Sequence, residues 1–485
     1  MESFKHWYAR PHTLFLWIAL VFGVANVVLN PPFMGVDEEN HFARIIGFAQ
    51  GRLFESATVS EGFAMQVRKE TARMRNFFGH EGRVGGRDFF HDQNNKFDFN
   101  DMYHDLLKKA PAETGGGAVA FYPYNRAVIY PPAAYLSALP FAWLGLKAGL
   151  NPLAILYLVR VSIFLASTLL IYCAIRITPY LKWQMFLLAL LQTSVFIRSG
   201  ANADPHVFGY AFLFSALMFY ALQSPDTLQT KNMWALAVLA ALLCVSKTAY
   251  LLLPGMFFLL DGTKFLSIKH RILSLFLIVI LPILLGVLWS RAAGVHYHAI
   301  PVGANGYMLR APGVDERAQI LFCMTHPFTF LHTLLHTFAT LWPLYMGQLI
   351  AMQGDSQVDM SLPFGLLSIA VLLFPMLAFS PALNSDGRNF RISLQRRSLC
   401  LALFVTSALL ICIMMYAGNS PIGSAEITGL QGRYFFPLLP LLLFAAQQSL
   451  TKKINTAICA AITVYVTAIL AYSVYSLITN DYIIH

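Results

Sequence analysis

LFLWIALVFGVANVVL (Leu14–Leu29) runs straight into PPFMGVDEENH (Pro31–His41). The first stretch is apolar enough to cross a bilayer. The second sets three adjacent carboxylates and a histidine at its edge. Ionisable groups beside hydrocarbon are costly, and by default they are functional candidates. The stretch resembles a signal peptide in its basic flank, but the two prolines and the acidic cluster follow at once. It reads as a retained first transmembrane helix.

The composition sets the class. Of 485 residues, 57% are hydrophobic and 12% charged, with mean hydropathy +0.58. Soluble domains carry about 25% charged residues, so this chain reads as a polytopic membrane protein. The net charge of +10 fits basic cytoplasmic loops and anionic headgroups, and no nucleic acid is expected as a partner. Six cysteines are scattered, without metal or disulfide spacing.

Outward from the first helix, residues 30–126 form the largest polar region, an external loop in which Glu61–Arg75 has the spacing of an amphipathic helix lying on the membrane surface. Apolar spans follow at 153–177, 183–198 and 206–222. Residues 233–260 are too long for one helix and break at Ser246-Lys247-Thr248. Further spans lie at 272–292, 362–380, 399–417, 433–450 and 455–478. The proline-bearing segments 131–148 and 327–349 read as re-entrant or interfacial. Basic loops at Arg176/Lys182, Lys264/Lys269/Arg271, Arg388/Arg391/Arg396/Arg397 and Lys452/Lys453 belong in the cytoplasm. The expectation is a single all-α polytopic transmembrane domain of about eleven helices. Its N-terminus is cytoplasmic, its C-terminus external, and a second external loop spans 293–326. This topology turns the Asp37 loop, the Asp204 turn, the Lys247 break and the Gln431 turn to one side.

Several residues can carry chemistry there. Asp37 and Glu38, near apolar surroundings, suit a general base. His41 lies one helical turn from Asp37 and shares its face. Asn202 and Asp204 form a second polar turn. Asp204 before a proline is also an ordinary helix cap. Lys247 inside an apolar stretch needs an anion, or else snorkels to the interface. In Gly429-Leu430-Gln431-Gly432-Arg433-Tyr434 the glycines allow close backbone approach, and Arg433 can grip a phosphate through two hydrogen bonds. Arg126 and Arg160 can reach an anionic headgroup. Their neighbours from Tyr122 to Tyr135 have the look of an aromatic belt. His326, His332 and His336, and Asp98 to Asp101, are weaker metal candidates.

The order of these motifs resembles a family of bacterial polytopic membrane proteins. Asp37-Glu38-x-x-His41 and the Gln431-Gly432-Arg433-Tyr434 turn are its most specific parts. That family is in turn similar to the GT-C class of membrane glycosyltransferases. The resemblance implies a donor sugar carried on polyprenyl phosphate or pyrophosphate, and a glycan or lipid-linked acceptor, with membrane lipids around it. It implies a catalytic acid at Asp37 or Glu38 and a second acid at Asp204. In some members a divalent cation, Mg or Mn, sits between two such acids. No D-x-D occurs in the second loop, so no cofactor is assigned.

The expected function is an inverting transfer at the periplasmic face of a bacterial inner membrane, in building or modifying a surface polysaccharide such as O-antigen or capsule. Arg433 and Lys247 would hold the lipid phosphate, and Asn202 and Asp204 would position the sugar or acceptor. The rival readings are a transporter or flippase of a lipid-linked or acidic solute, and a non-catalytic envelope assembly protein. Against transport, no inverted repeat is evident and the polar groups gather at one face.

Overall fold

The structure is a computed structural model. It describes residues 10–78, 98–108, 119–122, 126–179, 181–299, 313–353, 392–446 and 456–482. In chain order the helices are α1 (Pro11–Leu29), α2 (Glu38–Ala49), α3 (Glu61–Phe78), α4 (Phe99–Leu107), α5 (Ala138–Lys147), α6 (Pro152–Ile177), α7 (Lys182–Ala189), α8 (Gln192–Arg198), α9 (Asp204–Gln223) and α10 (Thr230–Ser246). There follow α11 (Ile268–Leu275), α12 (Leu281–Ala299), α13 (Glu316–Thr325), α14 (Pro327–Ile350), α15 (Leu394–Asn419), α16 (Leu439–Ala446) and α17 (Thr456–Asp481). Strands β1 (Ala57–Ser60) and β2 (Val119–Tyr122) form one antiparallel ribbon, in register from Ala57 opposite Tyr122 to Ser60 opposite Val119. Among the described residues this ribbon is the one departure from the all-helical expectation.

Six of the described helices are long and apolar enough to cross a membrane: Pro11–Leu29, Pro152–Ile177, Asp204–Gln223, Ile268–His296, Leu394–Asn419 and Cys459–Thr479. In α9, 83% of the apolar window is buried within the protein, against 22% in α15. So α9 stands at the centre of the bundle, and α15 turns most of its surface outward. Its apolar outer face matches hydrocarbon and would be costly in water.

Other expected spans take different forms. Residues 183–198 are two short buried helices, α7 and α8, of eight and seven residues. At 1.5 Å per residue neither reaches the roughly 30 Å of a bilayer core. Residues 233–260 break at Lys247, as expected. α10 ends there, and 3-10 turns at Thr248–Tyr250 and Leu253–Leu259 continue the chain. The 433–450 segment opens as a 3-10 helix, Gly432–Leu438, before α16. Pro437 and Pro440 remove amide donors from this stretch. Residues 131–148 fold as a 3-10 turn and the ten-residue α5. The 327–349 segment is one continuous helix, α14, despite the internal Pro343. The expected 362–380 span and the basic residues Arg388, Arg391, Lys452 and Lys453 lie outside the described residues.

Described residues between Phe33 and Ile163, with Ala201, Ala203 and Tyr482, build a second apolar cluster beside the main core. Helix α3 falls where an amphipathic helix is expected. Phe63 and Val67 of its apolar side pack on protein, while Met65 is exposed and its side chains beyond Thr71 lie outside the described residues. Phe63 stacks on Phe42, and Val67 is buried with Ala43, Ile46 and Val59 around it.

One buried side chain ties α6 to the end of α1 and the turn after it. Helix α1 ends before Pro31-Pro32, which have no amide N–H, so the carbonyls of Val27 and Val28 lack their i+4 donors. Arg160, fully buried on α6, fills the gap. Its Nη1 donates to the carbonyls of Val27 (3.3 Å) and Asn30 (2.5 Å), and its Nη2 to that of Pro31 (2.9 Å). The Tyr157 hydroxyl donates to Val28 O at 3.5 Å. The guanidinium also grips Glu38, through Nε to Oε1 at 2.7 Å and Nη2 to Oε2 at 2.6 Å. Glu38 in turn accepts the amides of Gly35 (3.3 Å) and Ala201 (2.7 Å). The end of α1, the turn after it, α6 and the turn before α9 are thereby tied to one ion pair.

Arg160→Met leaves the Glu38 carboxylate buried and unpaired, which should cost about 3–5 kcal/mol. It should read as a strongly lowered unfolding midpoint in detergent. Adding Glu38→Gln removes the second charge and should restore part of the loss. Wild-type stability in the single variant would show that the turn is held by something else.

Candidate functional site

Asp37 sits on the turn between α1 and α2 in the left-handed region, at φ 52°. Such a conformation is uncommon for a residue with a Cβ, although Asp tolerates it better than most. The Asp37 carboxylate makes no cap bond to α2. The Asp37 side chain is 55% exposed, whereas that of Asp204 is 8% exposed.

Asp204 opens α9 from a turn whose shape is set by its neighbours. Asn202 Nδ2 donates to Ile197 O (3.0 Å), and its Oδ1 accepts the Asp204 amide (2.9 Å). Ala201 hangs from Glu38. Across from this turn the chain leaves α10 with Lys247 in extended conformation, φ −154°. The break carries the ammonium to Asp204, with Nζ 2.7 Å from Oδ1. A lysine in an apolar stretch thus has a buried carboxylate as its partner.

The fourth group comes from the distant Gln431-Gly432-Arg433-Tyr434 turn. Here Gly432 makes a close backbone approach to protein rather than to a ligand. A Cβ on it would fall 1.8 Å from the carbonyl oxygen of Tyr345 on α14. Its amide donates to Gln348 Oε1 (2.9 Å). This seat against α14 delivers Arg433 between the two acids. Arg433 Nη1 lies 3.3 Å from Asp204 Oδ2, and Nη2 lies 3.5 Å from Asp37 Oδ2. Among the described residues the buried Nε of Arg433 has no hydrogen-bond partner. Tyr434 lies beside both cations, with Lys247 Nζ 4.6 Å and the Arg433 guanidinium 5.2 Å from its ring centre. The Tyr250 hydroxyl donates to Tyr434 O (2.9 Å). The site therefore holds two carboxylates, two cations and an aromatic wall.

Four residues have other duties than expected. Glu38 is fully occupied by Arg160 and two amides and has no exposed edge, so it cannot take a proton from an acceptor. Arg160 is its buried partner and is out of reach of any headgroup. Asn202 spends both ends of its amide on its own turn. His41 is buried, with Nδ1 2.5 Å from the Tyr135 hydroxyl and its ring 4.9 Å from that of Tyr130. Burial lowers its pKa to about 4 against the pull of Asp37 and Asp204. It is therefore neutral at physiological pH. Burial likewise raises the Tyr130 phenol to about 12, so it stays protonated beside the acids.

Gln431 is half-buried and its Oε1 has no partner among the described residues. The side chain of Arg126 and residues 123–125 lie outside the described residues. His332 stacks on His336, His326 on Phe322, and His336 Nδ1 lies 3.8 Å from Glu426. Asp98 Oδ1 accepts the amide of Asn100 at the start of α4. Among the described residues no group of three or more His, Cys, Asp or Glu could hold a metal ion.

Tyr130, Tyr250 and Gln348 belong to the site without having been singled out for it. The Tyr130-Pro131-Pro132 run was visible, but an aromatic belt explains such a run equally well. Nothing local marks Tyr250 or Gln348.

These features define a multi-pass helical membrane protein with a charged site built from four separated segments. The chain belongs to the family described as predicted membrane protein (DUF2142), whose model matches residues 20–442. No curated protein and no solved structure matches the chain at a significant level.

The depressed His41 pKa has a stability consequence. In the unfolded chain His41 would titrate near 6.5, so its contribution is fully present above that pH and is lost as pH falls toward 4. The slope is at most about 1.4 kcal/mol per pH unit. Unfolding midpoints measured between pH 7 and 4.5 should fall more steeply for wild type than for His41→Phe. Parallel slopes would mean that His41 is accessible to protons in the folded state.

Proposed function

We propose that the protein is a GT-C-like inverting glycosyltransferase at the periplasmic face of a bacterial inner membrane, with about eleven spans and a cytoplasmic N-terminus. It takes a sugar from a polyprenyl-phosphate carrier and serves surface polysaccharide assembly or modification. The observation that carries this reading is the half-exposed Asp37 carboxylate beside the Arg433–Asp204–Lys247 cluster. A base and a pair of phosphate-binding cations are the two things such a transfer needs.

In this mechanism Asp37 takes the proton of an acceptor hydroxyl. The freed oxygen attacks C1 of the sugar from the face opposite the carrier. The bond from C1 to the phosphate oxygen breaks, and its electron pair leaves with the phosphate. Arg433 and Lys247 face that developing charge, and fixed cations in a dry site stabilise it more than water would. Asp204 does not touch the reacting atoms. It holds both cations at one spacing and is a positioning residue. Tyr434 and Tyr130 offer flat faces to the sugar or the prenyl chain.

A divalent ion fits this arrangement poorly. The gap between Asp37 and Asp204 is already bridged by the Arg433 guanidinium. The mechanism therefore takes no step through a metal.

Asp37→Asn should lower transfer by about 10²–10⁴-fold, the usual worth of a general base. The carrier lipid that co-purifies in mild detergent should remain, as mass spectrometry of the extract would show. Arg433→Ala should strip that lipid. Recovery of bulk phospholipid alone from folded wild-type protein would favour the transporter or assembly readings instead.

A further inference from the structure

Resting on the lipid-phosphate reading above, we infer that the site is built for a singly charged phosphodiester, and that this ligand enters by displacing Asp37 from Arg433. A sugar on a single phosphate has that charge. A sugar on a diphosphate has one more.

Asp37 and Asp204 are balanced by Lys247 and Arg433, while His41 is neutral. The quartet carries no net charge and has no spare cation. An anion can bind both cations only if a carboxylate yields.

The two carboxylates are unequal. Asp204 is buried and touches two cations, at 2.7 Å and 3.3 Å. Among the described residues Asp37 has its exposed side chain on a single long contact of 3.5 Å. Water can replace that contact, but it cannot easily reach Asp204. So Asp37 is the group that leaves. Arg433 supplies a further reason: its buried Nε has no partner among the described residues. Buried charged donors seek an acceptor. A phosphate oxygen seated against the guanidinium edge would provide one.

Once Asp37 has swung out, Lys247, Arg433 and Asp204 leave one positive charge. A monoanion restores neutrality. A diphosphate would bring an excess negative charge next to Asp204, among Tyr130, Tyr250 and Tyr434, where an unpaired charge is costly. The same exchange orders the reaction. Asp37 is held by Arg433 until the donor phosphate arrives, and only then is it free to accept a proton. Donor binding thus precedes productive acceptor binding.

The test uses the full chain in phosphatidylcholine nanodiscs and two probes, farnesyl methyl phosphate (one charge) and farnesyl methyl diphosphate (two charges). Binding is read by calorimetry. Wild type should bind the monophosphate probe about tenfold tighter or more. Asp37→Asn should tighten it further, because the competing carboxylate is gone. Replacing part of the phosphatidylcholine with phosphatidylglycerol should change nothing. Tighter binding of the diphosphate, or weaker monophosphate binding in Asp37→Asn, would overturn the inference while leaving the lipid-phosphate site standing. Loss of the probe in phosphatidylglycerol discs would assign the site to ordinary headgroups and overturn it too. A folded wild type that binds neither probe would remove the lipid-phosphate reading itself.

Discussion

The buried ion pair between Glu38 and Arg160 is the constraint on which the rest of the structure depends. Removing two charges from water is expensive, and mutual attraction alone seldom repays it. Here the surrounding backbone supplies the remainder. The carbonyls of Val27, Asn30 and Pro31 accept from Arg160, and the amides of Gly35 and Ala201 donate to Glu38. Those backbone groups have a need of their own. Helix α1 ends in front of two prolines, and in an apolar setting its last carbonyls would stay unsatisfied. One pair of side chains thus closes a helix end, shapes the following turn and docks the turn that carries Asp204.

That arrangement separates two neighbouring acids into different roles. Glu38 turns inward and holds the fold. Asp37, one residue earlier, adopts left-handed backbone geometry and turns outward. The strain at Asp37 is maintained because both flanks of the turn are pinned, by Arg160 on one side and by the α2 packing of Phe42 and Ile46 on the other. A free loop would relax to an ordinary conformation, and the carboxylate would leave the site.

Opposite this turn, Arg433 depends on a backbone contact that only glycine permits. The 3-10 stretch from Gly432 lies against the Tyr345 carbonyl, and Gln348 holds its first amide. Asp204, Lys247 and Arg433 then form a chain of charge with few degrees of freedom. The site is buried at Asp204 and Arg433 and half-exposed at Asp37.

Much of this was legible in residue order. The hydrocarbon length of Leu14–Leu29, the break at Lys247 and the polar turns at Asp37, Asp204 and Gln431-Gly432-Arg433 follow from local physics, because each is an apolar run or an ionisable group misplaced within one. Membrane class and four of the site's charged residues came from that pattern. Pairing did not. Whether Arg160 meets a headgroup or Glu38 depends on how α6 lies beside the end of α1, about 130 residues earlier in the chain. Whether Gly432 faces a ligand or Tyr345 depends on α14. Residues 183–198 show the same limit: their composition fits a span, yet tertiary packing buries them as two short helices. Hydropathy is a property of each segment and can be read one segment at a time, but a partner for a buried charge is chosen only when the segments meet.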